Sequence, residues 1–326
     1  MVLIPIPLLS VPGLSLMTLI QDPNGMTTVD AVSSIGFEEA SAPLRAELLA
    51  HCYRMLGSWD EAEDAVQETY LRGWRGWDSF EQRASARTWL YRIATNVSLD
   101  AARDRGRRAL PSGIGAPSDD GQPEVLPPEY WIQPFHSDRD DLRLALVAGL
   151  QLLPTTQRAV LLLRDVLGFR ATEVAGILDL SVPAVKSQLQ RARARIAKVA
   201  PIPDDVIEPR GRRAQQLLDT YITAFETGDV DTLLAVLRAD AILELVPART
   251  WYAGAESCSR ILTSAVGKPG EWWMERTIAN GQPAVMAYRH GQAFGVAVLD
   301  VRHDGIAGIT VFGDADLVDV FSRVVV

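Results

Sequence analysis

The chain has 326 residues, of which 48% are hydrophobic, and a formal net charge of −9. This length allows two or three domains with cores of their own, and the acidic balance excludes a uniformly basic nucleic-acid-coating protein. Any contact with nucleic acid must therefore come from local basic patches. The two cysteines, Cys52 and Cys258, lie far apart without a neighbouring Cys or His pair. We therefore expect neither a disulfide framework nor a metal site, and no motif implies a cofactor.

The first 20 residues are apolar and uncharged, but they do not fit a signal peptide or a membrane span. Pro5, Pro7 and Pro12 interrupt any helix there, and a secretory signal needs a basic start and a small-residue cleavage site. We expect residues 1–35 to be an extension without fixed structure. No membrane contact is expected, and the protein is expected in the cytoplasm.

Three stretches between residues 36 and 108 carry apolar residues at helical spacing. Leu48 lies on the first stripe, Val66 on the second, and Leu90 and Ala94 on the third. This pattern predicts a three-helix bundle. The following residues, 109–140, are rich in proline and acidic side chains, which favours a linker rather than part of a core.

The strongest local signal is a helix-turn-helix within a helical region that spans residues 141–200. Residues 172–178 predict a short helix, residues 179–181 a turn, and residues 182–197 a second helix. Ser181 can cap that second helix, and proline is tolerated in its first turn. The helix carries cations without an acid, as contacts to phosphates and base edges require: Lys186, Arg191, Arg193, Arg195 and Lys198. We predict DNA binding here, against the alternative of a merely solvated basic helix face.

Further upstream, an acidic helix is followed by a basic one. The acids are Asp60, Glu61, Glu63, Asp64 and Glu68. The basic stretch contains Arg83, Arg87, Arg92, Arg103, Arg105, Arg107 and Arg108. An acidic face gains nothing from DNA, so its expected partner is a basic protein surface. The basic face, with Trp89 and Tyr91, can hold unpaired nucleic acid by charge and stacking. A salt-bridge ladder within the domain is the alternative.

A second linker, residues 201–213, precedes a region in which two short helices are followed by strand-like runs. The predicted helices contain residues 221–227 and 230–237, and the predicted strands are residues 241–246, 272–278, 284–289, 293–301 and 305–312. This order predicts a separate α+β domain with an antiparallel sheet. From Ala214 onward 14 acids face 8 bases, so the domain is not expected to bind DNA.

Two sets of motifs resemble the extracytoplasmic-function sigma factors. Residues 64–74, Phe80 and residues 88–96 look like their sigma-2 domain, and residues 185–193 resemble the recognition helix of their sigma-4 domain. The C-terminal region resembles a SnoaL-like domain, and the whole arrangement is similar to the sigma-G-like group. The resemblance implies a multidomain fold: two all-α helical domains (a sigma-2 bundle and a sigma-4 helix-turn-helix) followed by an α+β SnoaL/NTF2-like cone-shaped barrel. The implied domains span residues 36–108, 141–200 and 214–326.

The same resemblance implies roles for individual residues. Core RNA polymerase would be contacted at its clamp by Asp60, Glu61, Asp64, Gln67, Glu68 and Leu71, and at its flap by residues 154–168. The minus-ten element of promoter DNA would be contacted by Phe80, Arg83, Arg87, Trp89, Arg92, Asn96 and Arg103. The minus-35 element would be contacted by Thr172, Pro183, Lys186, Ser187, Gln188, Gln190, Arg191 and Arg193. Any anti-sigma factor is unknown.

The implied function is that of an alternative sigma factor, not an enzyme, that directs core polymerase to promoters, opens the strands and is modulated by its C-terminal domain. One alternative is a helix-turn-helix regulator with a ligand-sensing barrel, independent of core polymerase. Another is a SnoaL-like cyclase or isomerase fused to DNA-binding helices. Its candidate acid and base groups are Asp240, Glu244, His290, His303 and Asp304, although such residues are more often ordinary polar groups at strand ends.

Overall fold

A computed structural model of the chain describes residues 36–80, 85–103, 106–118, 124–137, 142–198 and 207–323. The expected extension at residues 1–35, Arg83 and much of the second linker lie outside these residues. Among the helices of the described ranges, none is both long and apolar enough to cross a bilayer. Within the same ranges, no cluster of three or more His, Cys, Asp or Glu side chains could hold a metal ion.

The first domain is the expected three-helix bundle. It consists of α1 (Arg45–Leu56), α2 (Trp59–Gly76) and α3 (Ala86–Arg103). Gly57 ends α1 with a φ of 72°, a conformation that favours glycine. Ser58 then caps α2 by accepting a hydrogen bond from the backbone N–H of Glu61 at 3.3 Å. The predicted apolar stripes form the core, which includes Leu48, Tyr53, Val66, Leu90 and Ala94, but Trp74, at the end of the second predicted stripe, is exposed.

The second domain contains the expected helix-turn-helix. Its elements are α4 (Leu144–Gln151), α5 (Thr155–Leu161), a π turn (Leu162–Val166), α6 (Ala171–Leu178) and α7 (Val182–Ile196). Asp179 ends α6 in the left-handed conformation. Ser181 caps α7 as predicted, because its Oγ accepts a hydrogen bond from the backbone N–H of Ala184 at 3.3 Å.

The third domain is a six-stranded sheet with helices on both of its faces. Its elements are α8 (Arg212–Thr227), α9 (Val230–Leu234), β1 (Leu237–Val246), β2 (Trp251–Ala253), α10 (Ala255–Val266), β3 (Trp272–Ala279), β4 (Gln282–Arg289), β5 (Gln292–Arg302), β6 (Gly305–Phe312) and α11 (Asp316–Ser322). The strand order is β2-β1-β6-β5-β4-β3. Sequence patterning misses β2, α10 and α11.

The prediction of an antiparallel sheet is wrong for one strand pair, because β1 and β6 run parallel. After β1 the chain leaves through β2 and α10 and starts again with β3 at the opposite edge of the sheet. From β3 to β6 each strand pairs antiparallel with the next. The last of them, β6, therefore lies beside β1 and runs in the same direction. The sheet is therefore mixed.

The sheet is buried on both faces. One face, with Leu243, Val285 and Leu299, packs against α8, α9 and α10. The other face, with Met286 and Val298, joins the same apolar core as the two helical domains. The third domain is therefore packed against the other two.

The prediction that residues 109–140 do not belong to a core is wrong for the described part of this linker. Leu110, Trp131, Ile132 and Phe135 are buried. The linker also hydrogen-bonds to itself, from the N–H of Ile132 to the carbonyl of Ala109 at 3.1 Å. These apolar residues occur in short groups interrupted by prolines and polar side chains, so they show no period by which a core segment could be recognised.

Candidate nucleic-acid and protein interfaces

One face of α2 is exposed and acidic. Asp60, Asp64, Gln67, Glu68 and Leu71 recur at spacings of three and four residues, which places them along one side of the helix. Of these, only Glu68 is partly buried. Leu71 has 49% of its surface exposed, and the neighbouring Trp74, which the sequence prediction did not include, has 54%. Exposed large apolar side chains beside acids are typical of a surface that another protein covers.

Glu61 does not lie on this exposed face. Its carboxylate pairs with the guanidinium of Arg108, and the two side chains are only 11% and 8% exposed. Arg108 also donates hydrogen bonds to the carbonyls of Pro128 at 3.1 Å and Trp131 at 2.7 Å. Glu61 therefore fastens α2 to the linker in this arrangement.

An aromatic stack and a polar stripe mark the basic side of the bundle. The rings of Phe80 and Trp89 stack with centroids 4.8 Å apart. Arg92, Asn96 and Arg103 follow along α3 and are exposed. Their spacing places them on the same side of the helix as Trp89. The structure thus brings together the described residues predicted for the minus-ten element, with the exception of Arg87.

Arg87 instead lies between the two helical domains. Its guanidinium sits 4.9 Å from the ring centroid of Tyr91 and 5.0 Å from that of Phe169. It also approaches Glu47 at 3.6 Å. Cation–π contacts of this kind stabilise by about 0.5–2 kcal/mol, so Arg87 contributes to the packing of α3 against the second domain.

The exposed face of α7 carries the residues predicted for the minus-35 element. Lys186, Ser187, Gln190 and Arg191 are exposed there, and Pro183 is exposed in the first turn.

Three other predicted residues differ from this group. Thr172 is exposed on α6 rather than α7. Gln188 is partly buried, and its Oε1 has no hydrogen-bond partner among the described residues. Arg193 donates to both carboxylate oxygens of Asp165, at 2.7 and 2.8 Å, a pairing across the fold that the sequence does not reveal.

Two polar residues of the segment 154–168, which is predicted to contact the polymerase flap, are not accessible in this structure: Gln157 and Arg158. Both side chains are buried. Arg158 donates hydrogen bonds to backbone carbonyls of both helical domains, including those of Met55 and of Leu150. The guanidinium therefore ties α5 to the end of α1, and the two helical domains form a closed arrangement.

A single turn of the third domain joins all three domains. Asn280, between β3 and β4, is fully buried and has a φ of 55°. Its Oδ1 accepts a hydrogen bond from the N–H of Phe135 at 2.8 Å. Its Nδ2 donates to the hydroxyl of Tyr53 at 2.8 Å and to the carbonyl of Leu142 at 2.7 Å. We call this contact the Asn280 joint, comprising Asn280, Tyr53, Phe135 and Leu142.

The candidate acid and base residues of the third domain do not converge. Asp240 and Asp304 share Arg238, at 2.9 and 2.7 Å. His290 and His303 lie in the turns at opposite ends of β5.

Glu244 is buried on the sheet face that meets the linker. Its carboxylate accepts hydrogen bonds from the hydroxyl of Thr310 at 2.9 Å and from the N–H of Ser112 at 3.0 Å. Glu244 thus holds the linker against the sheet and is separated from the two histidines.

Comparison with known families assigns the two helical domains. Residues 43–108 match the family model for Sigma-70 region 2. Residues 143–196 match the model for Sigma-70, region 4. The matched segments coincide with the three-helix bundle and with the helices from α4 to α7.

Individual relatives extend the likeness through most of the chain. It is 42% identical over 303 residues to the ECF RNA polymerase sigma factor SigG of Mycobacterium tuberculosis, covering 86% of this chain and 82% of the relative. It is 32% identical over 187 residues to the ECF RNA polymerase sigma factor SigE of Mycolicibacterium smegmatis, covering 54% of this chain and 67% of that one.

Among solved structures, the extracytoplasmic function sigma factor SigJ of Mycobacterium tuberculosis matches with a TM-score of 0.57 and 19% identity. The match covers 88% of this chain and 97% of SigJ. At this identity the likeness shows the fold alone, and it extends to the third domain.

Proposed function

The chain belongs to the extracytoplasmic-function family of RNA polymerase sigma factors, and from that premise we propose which of its surfaces contact polymerase and which contact promoter DNA. As a member, it binds core RNA polymerase and directs promoter-specific transcription. The observation that carries the division of surfaces is that an exposed acidic face and exposed basic faces lie on separate helices. The acidic face lies on α2, and the basic ones on α3 and α7.

The α2 face binds the clamp of core polymerase. Asp64, Gln67 and Glu68 offer acceptors to a basic surface, while Leu71 and Trp74 supply apolar area that association removes from water. Charge selects the partner and its orientation, and burial of the two apolar side chains supplies the larger share of the affinity.

The basic faces contact the two promoter elements. Phe80 and Trp89 provide a stacking surface for an unpaired minus-ten base, and Arg92, Asn96 and Arg103 follow the backbone of the melted strand. The exposed side chains of α7 enter the major groove of the minus-35 element, where Lys186 and Arg191 can reach phosphates and base edges.

The third domain modulates this function by stabilising the closed arrangement. We assign the flap contact to α5. In the closed arrangement one face of α5 is buried against the first domain, where Arg158 donates a hydrogen bond to the carbonyl of Met55. Binding of both helical domains to polymerase therefore requires them to separate. The Asn280 joint opposes this separation because it holds Tyr53 and Leu142 to the same side chain.

The third domain has no catalytic part in this function, and the protein works in the cytoplasm, where promoters and core polymerase are found. Supporting the first statement, Glu244 is used in a contact with the linker, and the two histidines lie at opposite ends of β5.

Run-off transcription with core RNA polymerase tests the proposal, using the full chain and promoters selected from a random library. Promoter-specific transcripts that depend on the chain are the expected result. A chain that binds duplex DNA but neither binds core polymerase nor yields a transcript would instead be a helix-turn-helix regulator independent of polymerase.

A further inference from the structure

A cavity of about 290 Å³ lies where the two helical domains meet. Its walls are the end of α1, residues 106–108 after α3, and residues 151–158 between α4 and α5, with the end of α7 at the rim. Four arginines and a single carboxylate are among the described residues that line it. We call it the arginine cavity, and its charged residues are Arg107, Arg108, Arg158, Arg195 and Glu61.

Among the described residues of the lining, Glu61 supplies the one carboxylate, and it is already paired because it contacts Arg108. The other arginines contact neutral acceptors. Arg107 donates to the carbonyl of Gly113 at 2.9 Å, and Arg195 donates to the side-chain oxygen of Gln157 at 3.3 Å. Among the described side chains no carboxylate pairs with Arg107, Arg158 or Arg195, so three positive charges in this lining lack a counter-charge.

Arg158 makes this charge imbalance costly. Its side chain is 4% exposed, and its donors bond to uncharged backbone carbonyls. Burial, together with the nearby Arg107, lowers the pKa of Arg158 to about 10. A buried cation without an opposite charge is expensive, and an anion in the cavity would offset that cost.

The shape and charge of the cavity select one class of anion. Guanidinium groups match the geometry of phosphate oxygens, and several cations converging from different elements suit an anion with several charges better than a single carboxylate. The volume lies near the lower end of the range for small-molecule sites, about 300–1,000 Å³. This size suits pyrophosphate or the phosphate tail of a nucleotide.

We propose that the arginine cavity binds a free oligophosphate, contacted by Arg107 and Arg195 and attracted by the buried charge of Arg158. A nucleic-acid backbone would present the same phosphate chemistry. However, the cavity exists only where the first domain packs against the second, and a space of about 290 Å³ is too small for a strand with its bases. Bound oligophosphate joins Arg107 of the first domain to Arg195 of the second and so stabilises the closed arrangement.

A consequence rests on the proposed function: saturating oligophosphate weakens binding of the chain to core polymerase. The binding of oligophosphate to the chain alone does not depend on that function. The oligophosphate proposal and the proposed function can therefore be contradicted independently of each other.

The test is isothermal titration of the full chain with inorganic pyrophosphate, in buffer without magnesium and at low ionic strength. One site is expected. Arg107→Gln and Arg195→Gln are expected to weaken the affinity at least about tenfold each, because each removes a charge-assisted contact. Arg260→Gln removes the same charge from the surface of α10 and is expected to leave the affinity unchanged.

Thermal unfolding of the same proteins provides the second measurement, since a ligand of the folded state raises the melting temperature. Pyrophosphate is expected to raise it for the unmodified chain and the Arg260→Gln variant, and much less for the two cavity variants. Absence of binding, or equal binding by all four proteins, would overturn the proposal. Displacement of pyrophosphate by a short single-stranded oligonucleotide would overturn it too, by identifying nucleic acid as the source of the phosphate.

Discussion

At the scale of single residues, His51 shows how burial changes the chemistry of a side chain. The imidazole is fully buried, and its Nε2 lies 3.0 Å from the hydroxyl of Thr95. Its Nδ1 has no partner among the described residues. Burial, with a smaller contribution from Arg54, lowers the pKa of His51 from 6.5 to about 3. The folded protein therefore keeps this imidazole neutral.

This shift predicts a pH dependence of stability. In the unfolded chain His51 takes up a proton below pH 6.5, whereas in the folded chain it does so only near pH 3. Stability should therefore fall as the pH falls from about 6.5, by up to about 1.4 kcal/mol for each pH unit. Urea denaturation at pH 7.5, 6.5 and 5.5 measures it. In His51→Gln the decline over this interval should be smaller, and in a variant of the exposed His303 it should remain; equal slopes in all three proteins would contradict the assignment.

At the scale of elements, local sequence signals predict the helix-turn-helix well. The predicted second helix, residues 182–197, differs from the observed Val182–Ile196 by one residue. Ser181 and Pro183 fix where it begins, and the apolar period fixes which side is buried. The parallel pairing of β1 with β6 was not predictable in this way, because it depends on where a distant strand returns.

Separate elements should carry separate binding functions. Glu68→Ala is expected to weaken binding to core polymerase without changing affinity for duplex DNA. The loss should lie in the contact rather than in folding, because the pair of Glu68 with Arg72 is exposed and such pairs stabilise helices by only about 0.3–0.5 kcal/mol. Titration of labelled core polymerase measures the effect, with Glu256→Ala on α10 as a matched control. An unchanged core affinity would remove Glu68 from the clamp contact.

Arg191→Ala is expected to have the opposite profile. It should weaken binding to a duplex that contains the minus-35 element by about 1–3 kcal/mol if the side chain reads a base. If the contact is to phosphate, it should weaken all duplexes and lower the salt dependence by about one counterion. Fluorescence anisotropy over a series of salt concentrations separates these contacts. Equal affinity to the unmodified chain on every duplex would show that α7 does not bind DNA through this residue.

At the scale of the whole molecule, the sequence predicts the domains but not how they pack together. The sequence pattern places Arg87 on a DNA-binding face and Arg158 on a partner-binding helix. In the structure both side chains lie at the junction of the two helical domains. The linker has no periodic signal and is nevertheless part of the common core. Contacts between residues more than a hundred positions apart, such as Tyr53 with Asn280, leave no trace in a local pattern.

The Asn280 joint allows the closed arrangement to be tested directly. Asn280→Ala removes hydrogen bonds to Tyr53, Phe135 and Leu142 and leaves buried groups unpaired, which should destabilise the protein by about 2–4 kcal/mol. His290 is a matched control, because it has a similar φ of 51° before a glycine but is exposed in the next hairpin turn. His290→Ala should therefore lower the stability only by the cost of placing alanine at a positive φ in the turn.

If core polymerase binds the open form, weakening the joint should raise the apparent affinity for core, because a larger fraction of the chain is then competent to bind. We expect an increase of about tenfold or more for Asn280→Ala and none for His290→Ala. Urea denaturation and core titration on the same proteins measure stability and affinity together. A less stable Asn280→Ala variant with unchanged core affinity would mean that the joint remains intact in the complex with polymerase. The third domain would then stay bound to the helical domains without opposing their binding to core.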